Sequence, residues 1–176
     1  MSNQFPEKCK IVDVRDAETS RNKITGDVVV NLVTVHRDDV RDKTEYQRTN
    51  VDGAENVALV SEQKGIDKIV STSTIAAYGF AEPGTDQRGA INPFNEYGRT
   101  KFEAEEKLRQ WHALGDNALI IVRPTVIFGE GNRENVFNLL NQIASGSFIM
   151  VGRGEIKKSV AYFGNIAMDG IGVDRI

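Results

Sequence analysis

Residues 65–74 read Gly65-Ile66-Asp67-Lys68-Ile69-Val70-Ser71-Thr72-Ser73-Thr74: a glycine, a short β-branched run, and then hydroxyl side chains. The run from Lys68 to Ser73 has the length and composition of a strand, and its centre, apolar at the successive positions Ile69 and Val70, places it in a sheet covered on both faces. Immediately upstream, Thr44 to Lys64 carries apolar residues at helical spacing and stops at Gly65, a suitable residue for the left-handed position after a helix. Downstream, Phe94 to Leu114 repeats the helical pattern and stops before Gly115. Lys10 to Val14, Asp27 to Val33 and Ala118 to Arg123 read as further strands. Strands alternating with helices predict an α/β fold with a parallel sheet flanked by helices and right-handed crossovers. In such sheets ligands sit beyond the carboxyl ends of the strands, where Ser71 to Thr74 lie. The Gly/Pro-rich stretch Ala81 to Pro93 is a loop whose length suits the wall of a site.

The bulk properties narrow the function. A chain of 176 residues, 40% of them hydrophobic, can bury one ordinary core. Against 25 acidic residues stand 22 basic ones, for a net charge of −3, so no positive field exists to recruit nucleic acid or anionic membranes. Cys9 is alone, and neither it nor the isolated His36 and His112 has metal-site spacing; no metal is expected. No stretch approaches the roughly 18 apolar residues of a membrane span, and residues 1–10 lack a signal-peptide core; the chain reads as cytoplasmic. Trp111 is expected to pack the second helix onto the sheet. Glu103, Glu105 and Glu106 read as a solvated helix face, with Glu103 and Lys107 as an i,i+4 pair.

Tyr97 and Lys101 lie four residues apart in the second helix and project from one face. A cation beside a phenol favours phenolate, which would draw the phenol's pKa toward neutral pH and make it a usable acid/base group. The same spacing also occurs on helices that are merely solvated. Thr74, at the end of the strand 68–73, can hydrogen-bond a substrate oxygen, although strand-ending hydroxyls also simply cap turns.

Ser73-Thr74, Tyr78-Gly79 and Pro93-Phe94-Asn95-Glu96-Tyr97-Gly98-Arg99-Thr100-Lys101, in this order and spacing, resemble the extended short-chain dehydrogenase/reductases, specifically the NAD-dependent epimerase/dehydratase family. Asp13-Val14, Asn31-Leu32-Val33-Thr34, Thr49-Asn50-Val51-Asp52-Gly53 and Arg123-Pro124-Thr125-Val126-Ile127-Phe128-Gly129 extend the resemblance over residues 10–167. The resemblance implies a Rossmann-like domain and an NAD cofactor, with NADP left open. It implies catalysis by Thr74, Tyr97 and Lys101, with Tyr97 as general acid/base, Thr74 holding the reacting oxygen, and Lys101 also bonding the nicotinamide ribose. It implies cofactor contacts from Asp13, Val14, Leu32, Val33, Thr34, Val35, His36, Asn50, Thr72, Ser73, Tyr97, Lys101 and Thr125. Substrate contacts are implied for Thr74, Val126, Arg133 and Lys158. Lys158 stands where relatives place an arginine on the substrate diphosphate, and it reads equally well as a surface lysine. Arg133 is a similar candidate, and its other reading is as the start of the helix that follows.

Family 4,6-dehydratases carry an acidic pair directly after the catalytic threonine; Ile75 and Ala76 fill those positions here. The resemblance therefore implies a nucleotide-sugar epimerase or a keto-sugar reductase. Its alternative is a catalytically impaired member acting as a binding or assembly module. The family's opening strand, Gly-rich turn and helix have no counterpart before Lys10, and most of the C-terminal lobe has none after Ala167. The expected organisation is thus a partial dinucleotide-binding domain over 1–167, truncated at both ends, with an atypical tail at 168–176. Family habits also imply a homodimer through helices 44–65 and 94–114.

Overall fold

Strand β2, Lys68–Thr72, is the middle of a three-stranded parallel sheet. Its register runs Val29↔Ile69 against β1 (Val29–Asn31) and Ile69↔Leu119 against β3 (Ala118–Val122). The computed structural model describes residues 12–36, 40–133, 135–155 and 157–166. It divides into two compact units, Asn3–Arg123 and Pro124–Ile176 with Met1–Ser2.

In the first unit, β1 is connected to β2 through a long helix of three parts: α2 (Thr44–Tyr46), a π-helical segment Gln47–Asp52, and α3 (Gly53–Lys64). The helix ends at Gly65 in the left-handed conformation, φ 68°, as the sequence predicts. Helix α4 (Glu96–His112) connects β2 to β3, and Asn95 caps it by accepting the Gly98 N–H at 2.8 Å. The core joins Ala54, Val57 and Ala58 of α3 to Ile69 of β2 and to Ala104, Leu108 and Trp111 of α4. Trp111 therefore packs its helix as expected.

The stretch Lys10 to Val14 departs from the expected strand. Val12 and Asp13 are not in a strand and Val14 and Arg15 form a turn, while Lys10 and Ile11 lie outside the described residues. The cause is local: Asp13 accepts the Arg15 N–H on its side chain and the Asp16 N–H on its carbonyl, which turns the chain, and Asp16 then accepts the N–H groups of Glu18 and Thr19 and starts a helix, α1 (Ala17–Lys23), that the sequence reading did not anticipate. Among the glutamates of α4, Glu106 is exposed as expected and Glu105 is not. Glu105 is 2% exposed rather than solvated. Glu103 pairs with Arg99 at 2.5 Å and Lys107 with Glu55 at 2.9 Å, so the Glu103–Lys107 pair is replaced by one partner on the same helix and one on α3.

The second unit contains β4 (Val126–Phe128) paired in parallel with β5 (Val160–Tyr162), and helix α5 (Asn135–Ala144). Tyr162 donates to Glu130 at 2.9 Å and its ring stands against Phe128 and Phe163. The tail expected at 168–176 lies outside the described residues.

Candidate functional site

The carboxyl ends of β1 and β2 face the first turns of α4. Thr74 leaves β2 in extended conformation and caps a 3₁₀ turn, Ile75–Tyr78, by accepting the Ala76 N–H at 3.1 Å. Helix α4 begins against this turn with no space to spare. A Cβ built on Gly98 would lie 2.5 Å from the Ala76 carbonyl oxygen, so only glycine lets the helix carry Tyr97 this close to Thr74. Gly79, at φ 65°, returns the chain beside Asn92 in the same way.

Tyr97 is mostly buried, and its hydroxyl feels both Thr74 and Thr34. Neither closes a full hydrogen bond: Thr74 Oγ1 serves Ala76, and Thr34 Oγ1 is buried without a partner. Burial raises the Tyr97 pKa above its ordinary value, and the two threonines oppose that rise. One turn along, Lys101 is 3% exposed, and burial holds its pKa down at about 8 against the pull of Glu105. The lowering of the phenol by Lys101 anticipated from spacing is therefore not what this structure shows. Desolvation dominates both groups and disfavours the charged form of each.

Asn50 lies in the π-helical segment and is 3% exposed. Its side chain accepts from Val35 N–H at 2.8 Å, donates to Val35 C=O at 3.2 Å and donates to Thr100 Oγ1 at 3.0 Å. It thereby ties the 32–36 loop to α4 between Tyr97 and Lys101. The sequence singles out Asn50 but not this bridging, which rests on an interaction across 50 residues.

The other candidates divide. Ser73 Oγ is buried without a partner, and Thr72 ends β2 with its hydroxyl donating to Asn31 C=O at 3.4 Å. Leu32, Val33, Val35 and His36 follow β1, with Leu32 62% exposed. The Asp13 carboxylate is forked by Arg15, which holds its pKa at about 2. Val14 is buried in the core against Gly53, so its side chain serves packing. Thr125, Val126, Arg133 and Lys158 belong to the second unit: Val126 opens β4, while Arg133 and Lys158 are exposed.

Two features were not foreseen. Arg123, at the end of β3, grips Glu105 with Nε at 2.7 Å and Nη2 at 2.5 Å, and donates through Nη1 to the Tyr78 hydroxyl at 2.5 Å. A cavity of about 650 Å³ is lined by Ile75, Tyr78, Asp86, Arg109, His112 and Ile121 among others, but by none of Thr74, Tyr97 and Lys101. The loop expected to wall the catalytic site thus contributes Thr85, Asp86 and Gln87 to this separate hollow. Among the described residues no cluster of potential metal ligands occurs, and no helix is long and apolar enough to cross a membrane.

The family model described as NAD dependent epimerase/dehydratase matches residues 3–167. The chain belongs to this family. Over 168 residues it is 47% identical to the N-acetyl-alpha-D-glucosaminyl-diphospho-ditrans,octacis-undecaprenol 4-epimerase of Escherichia coli O157:H7, a match covering 94% of this chain and 51% of that protein. It is 28% identical over 128 residues to the 2-alkyl-3-oxoalkanoate reductase of Stenotrophomonas maltophilia, covering 70% of this chain and 39% of the relative. Among solved structures, the UDP-glucuronic acid 4-epimerase from Bacillus cereus in complex with NAD superimposes with a TM-score of 0.76 at 19% identity, over 91% of this chain and 52% of that one. That likeness establishes the fold: a Rossmann-type parallel sheet flanked by helices. The chain spans about half the length of the first of these relatives and of the solved epimerase. Within this NAD-dependent family, Ile75 and Ala76 occupy the 3₁₀ turn directly after Thr74, and neither side chain can move a proton.

Proposed function

We propose that this chain carries the catalytic centre of an NAD-dependent 4-epimerase acting on a sugar linked through a diphosphate, with Thr74, Tyr97 and Lys101 as the reacting set. The observation that carries the reading is the convergence of Thr74 and Tyr97 across the Gly98 contact, with Lys101 buried one turn further along α4. The 47% identical relative is a 4-epimerase whose sugar is held by a diphospho-lipid, and structural neighbours include UDP-sugar 4-epimerases. A nucleotide-linked sugar and a lipid-linked sugar share the glycosyl diphosphate, and that shared group is what the proposal names.

The residues present suit a dinucleotide. Thr34 Oγ1 and Ser73 Oγ are buried without partners at the ends of neighbouring strands, and Lys101 makes no hydrogen bond among the described residues, so donors and acceptors stand ready for ribose hydroxyls. When bound, NAD supplies hydride exchange at the sugar carbon. Tyr97 does the proton work. As a neutral phenol at pH 7 it can donate to a ketone oxygen, and the hydroxyls of Thr74 and Thr34, which oppose the rise that burial imposes, favour the phenolate needed for the reverse transfer. Thr74 holds the reacting oxygen next to the phenol. In the second unit, Lys158 and Arg133 are exposed cations available to a diphosphate as point charge and fork respectively.

Calorimetric titration of the 176-residue chain with NAD and NADP, followed by a turnover assay with a UDP-sugar and a polyprenyl-diphosphate sugar, tests the reading. Micromolar NAD binding, and turnover abolished by Tyr97→Phe with binding retained, are expected. Turnover unchanged in Tyr97→Phe refutes the assignment. A well-folded chain that binds neither dinucleotide would favour the second reading, a binding or assembly module. Self-association through the helices 44–65 and 94–114, where Leu59 is 41% exposed, belongs to the same proposal and is checked by sedimentation.

A further inference from the structure

Glu105 and Arg123 form an ion pair that is costly to hide: Glu105 is 2% exposed and the Arg123 side chain 13%. Both carboxylate oxygens are engaged by the guanidinium fork, at 2.7 and 2.5 Å. Arg109 adds a longer contact to Glu105 at 3.5 Å. Buried pairs of this kind rarely stabilise more than apolar residues of the same shape would, so what they contribute is a fixed geometry. The third guanidinium nitrogen shows which geometry. Arg123 Nη1 meets the Tyr78 hydroxyl at 2.5 Å, and its guanidinium carbon stands 4.8 Å from the centre of that ring.

Tyr78 is the last residue of the 3₁₀ turn that Thr74 caps. Glu105 lies one helical turn beyond Lys101 and two beyond Tyr97 on α4. The end of β3, the face of α4 and the turn behind Thr74 are thus bolted together by three side chains. We propose that Glu105, Arg123 and Tyr78 are positioning residues, which hold the Thr74 turn at a fixed distance from Tyr97 and Lys101. This rests on the reading of Thr74, Tyr97 and Lys101 as the reacting set. The Gly98 contact sets how near the helix can come, and the Glu105–Arg123–Tyr78 chain keeps the turn from drifting away. Glu105 has a second effect through space, because its charge favours the ammonium of Lys101 that burial opposes.

The test uses the full chain with ¹³Cζ-labelled tyrosine. Its four tyrosines give four signals, and Tyr97→Phe identifies the one that matters. Tyr78→Phe removes a single hydroxyl and Arg123→Lys removes the fork while keeping the charge. Both are expected to displace the Tyr97 signal, which reports hydrogen bonding at its hydroxyl, while Tyr46 and Tyr162 keep theirs. A Tyr97 signal unmoved in folded Tyr78→Phe protein overturns the proposal. So does a Tyr78→Phe chain that fails to fold, since the hydroxyl would then hold the domain together and not the site. If Arg123→Lys does not fold, Tyr78→Phe decides alone. A wild-type chain that binds no NAD would defeat the functional reading without altering the outcome of this measurement.

Discussion

Gly98→Ala should destabilise this protein, although glycine in the interior of a helix is ordinarily the weaker choice. Gly98 has helical backbone geometry, and on propensity alone alanine there would stabilise by about 1 kcal/mol. The structure reverses the sign. The new Cβ would stand 2.5 Å from the Ala76 oxygen, 2.9 Å from its carbonyl carbon and 3.1 Å from Pro93 Cβ. Relief requires α4 and the 3₁₀ turn to separate by at least ~0.5 Å, and overpacking of this kind costs about 1–3 kcal/mol. The atoms in the way are backbone, which cannot swing aside as a side-chain tip can. Net destabilisation is then on the order of 1 kcal/mol, or roughly 2–4 °C in Tm for a chain of this size. Gly115→Ala is the control, since nothing lies within 4 Å of its Cβ position. Thermal unfolding followed by circular dichroism compares the two. A Tm for Gly98→Ala equal to or above wild type would refute the close-approach argument. The same variant should weaken any property that depends on Tyr97 meeting Thr74.

Lys101 provides a pH-dependent test. Its folded pKa of about 8 lies below the ordinary lysine value of 10.5, so between these limits the unfolded chain binds more protons and stability should rise with pH. Below pH 8 the buried ammonium imposes its full cost, on the order of 3 kcal/mol; Lys101→Met should remove that cost and flatten the profile, and denaturant melts at pH 7 and 9.5 read both. Glu105→Ala leaves the Arg123 guanidinium buried and should cost about 3–5 kcal/mol in urea unfolding, whereas a loss under 1 kcal/mol would mean that water reaches Arg123 freely. Asn50→Leu strands the Val35 backbone groups and should cost roughly 2–3 kcal/mol; hydrogen exchange at the Val35 amide should speed up relative to that at Ile69.

The sheet and its long helices were legible because burial writes itself into composition. The strand expected over 68–73 and the helix stop at Gly65 follow from local chemistry; the structure has the strand at Lys68–Thr72 and the stop at Gly65. Tyr97 and Lys101 were legible as a pair because helical spacing alone puts them on one face. Their electrostatics were not, since the sign depends on how deeply α4 packs, and that is set by α3 and β2 together. Glu105 was misread for a related reason. On a helix rich in charge it looks solvated, and only Arg123, eighteen positions away at the end of β3, turns it inward. Gly98 was visible as a letter of the motif, but its purpose lies in the carbonyl of Ala76, which no pattern within α4 reveals. The helix Ala17–Lys23 escaped because it is short, and its signal is a single capping aspartate.

The π-helical segment Gln47–Asp52 limits how this chain can change length. It houses one more residue per turn than the α-helical parts on either side, and Asn50 sits inside it facing Val35 and Thr100. Deleting any single residue there would let the helix run as regular α, at no cost to its own backbone bonding. The parts on either side would keep their faces, because the wide turn holds its extra residue within one turn, and what would be lost is the bulge that presents Asn50 to Val35 and Thr100. An alignment gap at this place would therefore mark a differently anchored 32–36 loop, whereas gaps in the exposed loop 81–90 should pass without consequence for the Asn50 bridge.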